Sequence, residues 1–288
     1  MILILVGTGQ KVMTYQKNNN IQTDSKSNNR LSVQFSLSGL SFLVKDTTTN
    51  RVVHYSEKKY NYPNTPEELL IDLTSEFSHN SELQENFSEV IIIYATTLYA
   101  LVPTPLFDEK MASEYLKLNS KILANDFIAY DTLENNDLTI VYIPYVNINN
   151  YLFERFGNFK YYHSTTLLLK YFLNIEKHSK HSKIYLNVGV EIFDVIIIKG
   201  GELLLCNTYS FKSPEDFIYY ILFCLEQLKF NPDTIECVLS GLIDDNDSNY
   251  NILYTYIRHI SFINTEELLV IESDKSPSHN NLLLKLNQ

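Results

Sequence analysis

The sequence of 288 residues is poor in cysteine and in basic residues, and it has no long apolar run. Its three cysteines form no CxxC pair, and their odd number is typical of a reducing compartment rather than of a disulfide framework. Lys and Arg number 23 against 34 Asp and Glu, a formal net charge of -11 that repels phosphate groups, so we expect no nucleic-acid ligand. No apolar run reaches the roughly 20 residues that span a bilayer, so we expect a cytoplasmic protein without a membrane span.

The chain nevertheless contains enough apolar residues to form a folded core. Hydrophobic residues make up 45% of the sequence, so wholesale disorder is not expected. Its length suits two ordinary domains or one large one. Tyrosine is abundant, with 21 residues, whereas tryptophan is absent. Paired tyrosines such as Tyr219-Tyr220 indicate either an interaction surface or packing at the boundary between core and solvent.

The first 30 residues differ in composition from the rest. Residues 1–6 are apolar but few, and residues 17–30 are polar and rich in Asn and Ser. We interpret residues 1–30 as a leader that is partly disordered or adds an extra strand. From Leu31 onward apolar and polar residues alternate, which is typical of a half-buried strand.

The first half of the chain then shows a regular order of strands and helices. Thr65 is followed by Pro66 and two acidic residues. This pattern predicts a helix start, because the threonine can cap the helix and the acids face the positive end of its dipole. The predicted strands are 31–37, 40–45, 51–60, 90–94, 98–102 and 138–143, and the predicted helices are 65–77 and 108–118.

The second half repeats this order, including a helix start in which Ser213 precedes Pro214 and two acids. Its predicted strands are 184–189, 191–199, 202–210, 234–239 and 268–271, and its predicted helices are 213–229 and 249–259. Helices are also predicted at 146–156 and at 164–174, the latter capped by Ser164. Two matching units predict two similar sheets packed with helices. We place the first domain at residues 31–178 and the second at 179–288.

The repeated unit, three strands followed by helix, strand, helix and strand, resembles the actin-like superfamily of ATPases. That superfamily includes sugar kinases, heat-shock chaperones and actin. The stretch from Asn187 to Asp194 resembles its second-domain phosphate loop, usually Asp-x-Gly-Gly-Gly-Thr-x-Asp, but only Gly189 and Asp194 match. Ser240-Gly241 resembles its adenosine motif, a strand ending in Ser-Gly-Gly, with one of the two glycines kept.

The first-domain loop of the superfamily usually starts Asp-x-Gly, and Gln34-Phe35-Ser36 resembles it without the acid or the glycine. Ser38-Gly39 follows two residues later. The region from Leu31 to Asn287 also resembles an uncharacterised bacterial family, domain-of-unknown-function family 3822, with an actin-like ATPase fold. The segments that carry this resemblance are Leu31–Ser36, Pro105–Lys110, Tyr142–Asn147 and Phe153–Gly157.

These resemblances imply an α/β protein with a duplicated actin-like (ribonuclease H-like) fold. Each of its two domains would hold a mixed five-stranded sheet flanked by helices. They also imply a degenerate nucleotide cleft, whose candidate residues are Ser36, Ser38, Gly39, Asn187, Gly189, Asp194, Ser240 and Gly241.

The residues at these positions are a poor set for ATP hydrolysis. Hydrolysis on this fold needs carboxylates that hold Mg²⁺ and orient water, and glycines that let backbone N–H groups approach the phosphates. Gln34 and Asn187 carry amides, which bring no negative charge and cannot act as a base. Val190 and Glu191 stand where the loop usually has glycines. We therefore expect no catalytic residue, no metal ligand and no cofactor, with ATP and Mg²⁺ as the alternative.

Each retained residue has a structural interpretation beside the functional one. Asn187 could bond its own turn rather than a nucleotide. Gly189 could mark a bulge or close strand packing rather than a phosphate contact. Asp194 lies in an apolar strand and must find a partner if it is buried, so either a structural pairing or a functional role is open.

The leading hypothesis is a binding or assembly factor with a degenerate actin-like ATPase fold that does not hydrolyse ATP. One alternative is a weak nucleotide-binding ATPase or kinase that uses Asp194. Another is a peptide-binding adaptor similar to actin-like proteins of pilus assembly or cell division. We expect an unidentified protein partner, with homodimerisation as a further possibility.

Overall fold

The computed structural model describes residues 28–60, 62–117, 122, 126–265 and 267–286. The chain divides into two compact units. One contains residues up to 167 together with 270–274, and the other contains 168–269 and 275–286. Residues 1–27 of the predicted leader lie outside the described residues, and the first strand begins at Asn29 rather than at Leu31.

The first unit is built on a mixed five-stranded sheet. Its strands are β1 (Asn29–Ser36), β2 (Gly39–Asp46), β3 (Arg51–Lys59), β4 (Glu89–Tyr94) and a later strand, β8 (Lys160–His163). Their order is β3-β2-β1-β4-β8, with β1 antiparallel to β2 and parallel to β4. Helices α1 (Pro66–His79) and α3 (Val146–Phe156) pack together, and Phe42 on β2 meets Phe77 of α1 in the core.

A smaller antiparallel sheet is inserted after β4. It consists of β5 (Tyr99–Pro103), β6 (Ala129–Leu133) and β7 (Leu138–Tyr142), in the order β5-β7-β6. The short helix α2 (Ala112–Lys117) covers it and shares a small apolar core with it. Because β7 belongs to this inserted sheet, it is not the strand that completes the main sheet.

The second unit repeats the five-stranded sheet. Its strands are β9 (Ser182–Val188), β10 (Ile192–Lys199), β11 (Glu202–Ser210), β12 (Glu236–Gly241) and β13 (His259–Phe262), in the order β11-β10-β9-β12-β13. The remaining helices are α4 (Ser164–Ile175), α5 (Pro214–Gln227), α6 (Ser248–Tyr256) and α7 (Leu282–Leu286). One face of the sheet, with Phe193 and Val195, packs its apolar side chains against α5 and α6.

The two predicted helix starts are confirmed. Thr65 Oγ1 accepts a hydrogen bond from the Glu68 amide, and the Glu68 carboxylate accepts one from the Thr65 amide, so both amides are satisfied. At α5, Ser213 Oγ accepts from the amide of Asp216. Ser164 is not the cap of α4, because it is the first residue of that helix. The capping acceptor is His163 Nδ1, which accepts a hydrogen bond from the Thr165 amide at 3.2 Å.

The predicted α/β class and the duplication are confirmed, whereas the strand predicted to come last in each five-stranded sheet was wrong. The last strand of the second sheet is β13 rather than 268–271, because the helix before it ends at Tyr256 and leaves 259–262 extended. The last strand of the first sheet is β8 rather than 138–143. Strands β8 and β13 were not predicted; each is four residues long and pairs in parallel with a distant strand, so little local periodicity marks them. Strand β6 of the inserted sheet was not predicted either.

In the described part of the chain, no helix is both long enough and apolar enough to cross a bilayer.

Candidate functional site

Four polar side chains form a line across the second sheet, which we call the polar row: Ser240, Asn187, Asp194 and Thr208. Each lies on a different strand, and the strands β12, β9, β10 and β11 are neighbours. The register pairs Ser240 with Asn187, Asn187 with Asp194, and Asp194 with Thr208. Paired residues project from the same face of a sheet, so the polar row occupies the face opposite to the core side chain Phe193.

Hydrogen bonds connect the polar row from end to end. Ser240 Oγ donates to Asn187 Oδ1 at 3.1 Å, and Asn187 Nδ2 donates to Asp194 Oδ2 at 3.0 Å. Thr208 Oγ1 donates to Asp194 Oδ1 at 2.6 Å. Both carboxylate oxygens of Asp194 therefore have a donor within the row, and the Asn187 amide is oriented by partners on both of its sides.

Asp194 is half-buried, and two opposing effects act on the pKa of its carboxyl group. Desolvation disfavours the charged form and raises the pKa of this carboxyl, while the hydrogen bonds from Thr208 and Asn187 lower it. Desolvation dominates, so the pKa lies above its ordinary value. Among the described residues no Lys or Arg pairs with Asp194, and its carboxylate is compensated by the Asn187 amide and the Thr208 hydroxyl.

Gly189 lies in the tight turn between β9 and β10. Its N–H donates to the Ile192 carbonyl at 2.8 Å, and the Glu191 carbonyl accepts from the Phe211 amide at 2.9 Å. Glu191 adopts a left-handed conformation with φ 55°, which is uncommon for a residue with a side chain. The glycine amide that a phosphate loop would offer is thus bonded to the hairpin itself.

Gly241 ends β12 at a very close approach to β9. A Cβ built there would lie 2.1 Å from the carbonyl oxygen of Val188, and its φ is 85°. The Gly241 amide donates to the His279 carbonyl at 3.0 Å, and the Leu242 amide donates to Val188 at 2.7 Å. Backbone packing alone therefore requires glycine at this position.

The corresponding residues of the first sheet also bond within their own hairpin. Ser36 Oγ lies 3.1 Å from Ser38 Oγ and donates to the Gly39 carbonyl at 3.3 Å. A Cβ on Gly39 would lie 2.8 Å from the Lys58 carbonyl oxygen. Ser36, Ser38 and Gly39 are therefore accounted for by the β1–β2 turn and its contact with β3.

The register also defines the first-sheet counterpart of the polar row, which we call the first-sheet row: Ile93, Gln34, Ser41 and Glu57. It crosses β4, β1, β2 and β3 in the same way. Among the described residues, the buried Oε1 of Gln34 has no hydrogen-bond partner. In the first sheet the amide thus lies between an isoleucine and a serine, where the second sheet has a serine and an aspartate.

The structure brings together three of the predicted residues, Asn187, Asp194 and Ser240, in one hydrogen-bonded row. Thr208 was not predicted. Counting back from the Gly200-Gly201 turn pairs Lys199 with Glu202, which would place Asn207 opposite Asp194. A bulge at Leu204 shifts the register by one residue and brings Thr208 there instead.

A second polar cluster in the first unit is closed to ligands. Asp131 on β6 is buried and accepts from Tyr142 Oη at 3.1 Å, from Thr166 Oγ1 at 2.7 Å and from the His163 amide at 2.8 Å. His163 Nε2 donates to the Thr96 carbonyl at 3.0 Å while its Nδ1 accepts the Thr165 amide. Burial lowers the pKa of His163 to about 3, so the ring is neutral.

This cluster attaches the inserted sheet to the start of α4. Neither ring nitrogen of His163 has a position left for a reacting group, and the Asp131 carboxylate lies at the positive end of the helix, where it is stabilised. Elsewhere in the described residues, no three His, Cys, Asp or Glu side chains are grouped so as to hold a metal ion. The polar row is therefore the best candidate site.

Comparison with known proteins identifies the fold. A crystal structure of a Bacteroides thetaiotaomicron protein with an actin-like ATPase fold and unknown function superimposes with a TM-score of 0.78 at 24% identity, covering 93% of this chain and 98% of that one. A chain of the PilM–PilN type IV pilus biogenesis complex superimposes with a TM-score of 0.54 at 11% identity, covering 83% and 89%. The predicted actin-like ATPase fold is confirmed.

The sequence itself matches a family described as "Protein of unknown function (DUF3822)" over residues 18–260. No curated protein matches the sequence.

Proposed function

We propose that this chain, which belongs to the DUF3822 family of proteins of unknown function and has an actin-like ATPase fold, is a binding or assembly factor that does not hydrolyse ATP. The observation that carries the proposal is the closed hydrogen bonding of the polar row. The resemblance to the actin-like superfamily implies an acid that holds metal-bound water at position 187. Asn187 stands there instead, and its amide donates a hydrogen bond to Asp194 and accepts one from Ser240.

The charge of the row supports the same conclusion. Mg²⁺ in nucleotide sites is held by one or two ionised carboxylates together with the substrate phosphates. The polar row contains one acid, Asp194, and burial shifts that acid toward its neutral form. Asp194 also accepts a hydrogen bond on each oxygen, so a metal ion would compete with these two donors for the carboxylate.

The retained glycines support it as well. Backbone N–H groups cradle phosphates only where they are not already bonded. The amides of Gly189 and Gly241 donate to Ile192 and His279, and the amide after Gly241 donates to Val188. A phosphate would have to displace intramolecular hydrogen bonds that stabilise the hairpin and the end of β12.

A role in binding other proteins fits the fold without requiring the lost chemistry. The PilM–PilN pilus biogenesis complex is an example of a similar fold working as part of an assembly. Similarity of fold does not fix function, so the partner of this chain does not follow from that complex.

Nucleotide binding is the test that separates the proposal from its main alternative. We expect the Tm to stay constant when ATP or ADP is added at millimolar concentration, with and without Mg²⁺. A ligand selective for the native state, present at about 100 times its Kd, would stabilise the protein by about 2.7 kcal/mol, which a thermal-shift assay readily detects.

A steady-state assay of phosphate release completes the test. The matched variants are Asp194→Ala and, at the equivalent position of the first sheet, Ser41→Ala. We expect no turnover in the wild type or in either variant. Mg-ATP hydrolysis that Asp194→Ala abolishes and Ser41→Ala preserves would instead establish the ATPase alternative.

A further inference from the structure

Four charged side chains lie side by side on one face of the first sheet, near the start of β1. The register pairs Arg30 on β1 with Lys45 on β2 and with Glu89 on β4. Lys160 on β8 pairs with Ile91, which lies two residues after Glu89 and on the same face. We call Lys45, Arg30, Glu89 and Lys160 the cationic row, because three of its members are positive in a chain whose net charge is -11.

Glu89, the one acid of the cationic row, is shared by two of the cations. Its Oε2 lies 2.6 Å from Arg30 Nε, and its Oε1 lies 2.6 Å from Lys160 Nζ. The ammonium group of Lys45 has neither a salt bridge nor a hydrogen bond within the part of the chain that the structure describes. The cationic row therefore keeps an excess of positive charge, and Lys45 is the member without a partner.

Lys45 is also buried, which makes the absence of a partner costly. The residue is only 6% exposed, and it lies directly opposite Arg30, a like charge. Burial, and then the positive charge of Arg30, lower the pKa of the Lys45 ammonium below its ordinary value. A buried cation without a partner and a pair of like charges across two strands both reduce stability. A bound anion removes both costs.

The second sheet shows how the same positions are neutralised without a ligand. The register gives each member of the cationic row a counterpart: Ile198 for Lys45, Lys183 for Arg30, Glu236 for Glu89 and Ser261 for Lys160. Lys183 is the one cation among these counterparts, and it pairs with Glu236 at 3.7 Å and with the buried Glu176 at 3.0 Å. One cation thus has two acids in the second sheet, whereas three cations share one acid in the cationic row.

We propose that Lys45 and Arg30 bind a carboxylate group of a ligand. Guanidinium and ammonium groups form short, charge-assisted hydrogen bonds with carboxylates, and in the second unit the Glu176 carboxylate accepts such a bond from Lys183, the counterpart of Arg30. The ligand supplies to the cationic row what Glu176 supplies to Lys183. Arg30 lies about 20 Å along β1 from Ser36 of the degenerate nucleotide cleft, so the proposal does not rest on the fate of the ATPase site.

The carboxylate can come from a small free acid or from an acidic side chain of a peptide. Because Lys45 is almost completely covered, only an end group can approach its ammonium, and both sources present their carboxylates as end groups. Succinate is the probe for the first source and a hexaglutamate peptide is the probe for the second.

Isothermal titration of the intact chain with each probe tests the proposal, with sodium chloride of equal ionic strength as the reference for screening. The test variant is Lys45→Met, which keeps an unbranched side chain and removes the charge. The matched control is Lys199→Met, which removes one exposed cation next to Ile198, the counterpart of Lys45. We expect at least one probe to bind the wild type, at least about tenfold weaker binding to Lys45→Met, and a change of less than about twofold for Lys199→Met.

The Tm in chloride alone gives a second readout, which a merely structural lysine would move the other way. We expect Lys45→Met to raise it, because the variant removes a buried charge that has no partner. If Lys45→Met fails to fold, Lys45→Gln replaces it in the titration. Binding of one probe alone supports the proposal and identifies the source of the carboxylate. A wild type that binds neither probe beyond the chloride reference overturns the proposal, as does a charge-free variant at position 45 that binds as tightly as the wild type.

Discussion

The polar row of the second sheet and the first-sheet row lie on equivalent strands of a duplicated fold, yet their chemistry differs. In both rows the amide residue precedes its neighbour on the next strand by seven positions. Gln34 precedes Ser41, and Asn187 precedes Asp194. In the second sheet every neighbour of the amide is polar and bonded to it. In the first sheet the amide has Ile93 on one side and a buried oxygen without a described partner.

The two rows therefore place different chemistry at equivalent positions of the duplicated sheet. In the first-sheet row the amide of Gln34 lies beside the apolar Ile93. In the polar row the amide of Asn187 belongs to a hydrogen-bonded network around Asp194. A carboxylate at this position therefore does not by itself indicate catalysis, since Asp194 has hydrogen-bond partners without a ligand.

The largest effect is expected at Gly241, the residue that follows Ser240 at one end of the polar row. Gly241→Ala places a Cβ 2.1 Å from the Val188 carbonyl at positive φ, so we expect a loss of about 3 kcal/mol or more in the free energy of unfolding from overpacking and backbone strain together. The control, Gly200→Ala, has positive φ but no atom within 4 Å and should lose only about 1 kcal/mol. Equal losses in urea denaturation would contradict the packing explanation.

Restoring the acid in each row is the second test. Asn187→Asp puts a carboxylate against Asp194, so the two must share a proton or repel, and we expect a loss of about 2 kcal/mol near neutral pH that shrinks toward pH 4. Gln34→Glu faces Ser41, which can donate to it, so its loss should be smaller and less dependent on pH. Urea midpoints at several pH values measure both, and a larger loss for Gln34→Glu would reverse the comparison.

A smaller effect is expected at the serine of the polar row. Ser240→Ala removes the donor to Asn187 Oδ1 and should cost about 1 kcal/mol of stability, the usual net value of one hydrogen bond. Ser41→Ala in the first-sheet row is the control and should change stability by less than about 0.5 kcal/mol. If both variants match the wild type in chemical denaturation, the polar row contributes no cooperative stability.

The smallest effect is a change of pH dependence at Asp194. Its pKa is raised in the folded chain, so the protonated form stabilises the fold below the ordinary value of 3.8, and this contribution is lost as the pH rises through the raised pKa. Asp194→Asn removes the titration, and its amide can still accept from Asn187 and donate to Thr208. We therefore expect the variant to gain stability relative to the wild type between about pH 4 and about pH 7. A relative loss over that interval would show that the charged form is the favoured one.

Sequence patterns predicted the parts of the molecule that depend on local rules. The capped starts of α1 and α5 and the hairpins of both sheets follow from neighbouring residues, and they are confirmed. The short parallel strands β8 and β13 were missed because their pairing partners lie far away in the chain. The polar row was predicted as separate candidates, but its internal bonding depends on register, and one bulge at Leu204 decided that Thr208 rather than Asn207 faces Asp194.

The close approach of Gly241 to Val188 determines how substitutions at this position should be interpreted. In a saturation screen that scores only the amount of folded protein, position 241 should be as intolerant as an essential active-site residue, because every side chain carries the Cβ that meets Val188. Intolerance there measures the distance between two backbones. A glycine that matches a nucleotide-binding motif can thus be required by strand geometry alone.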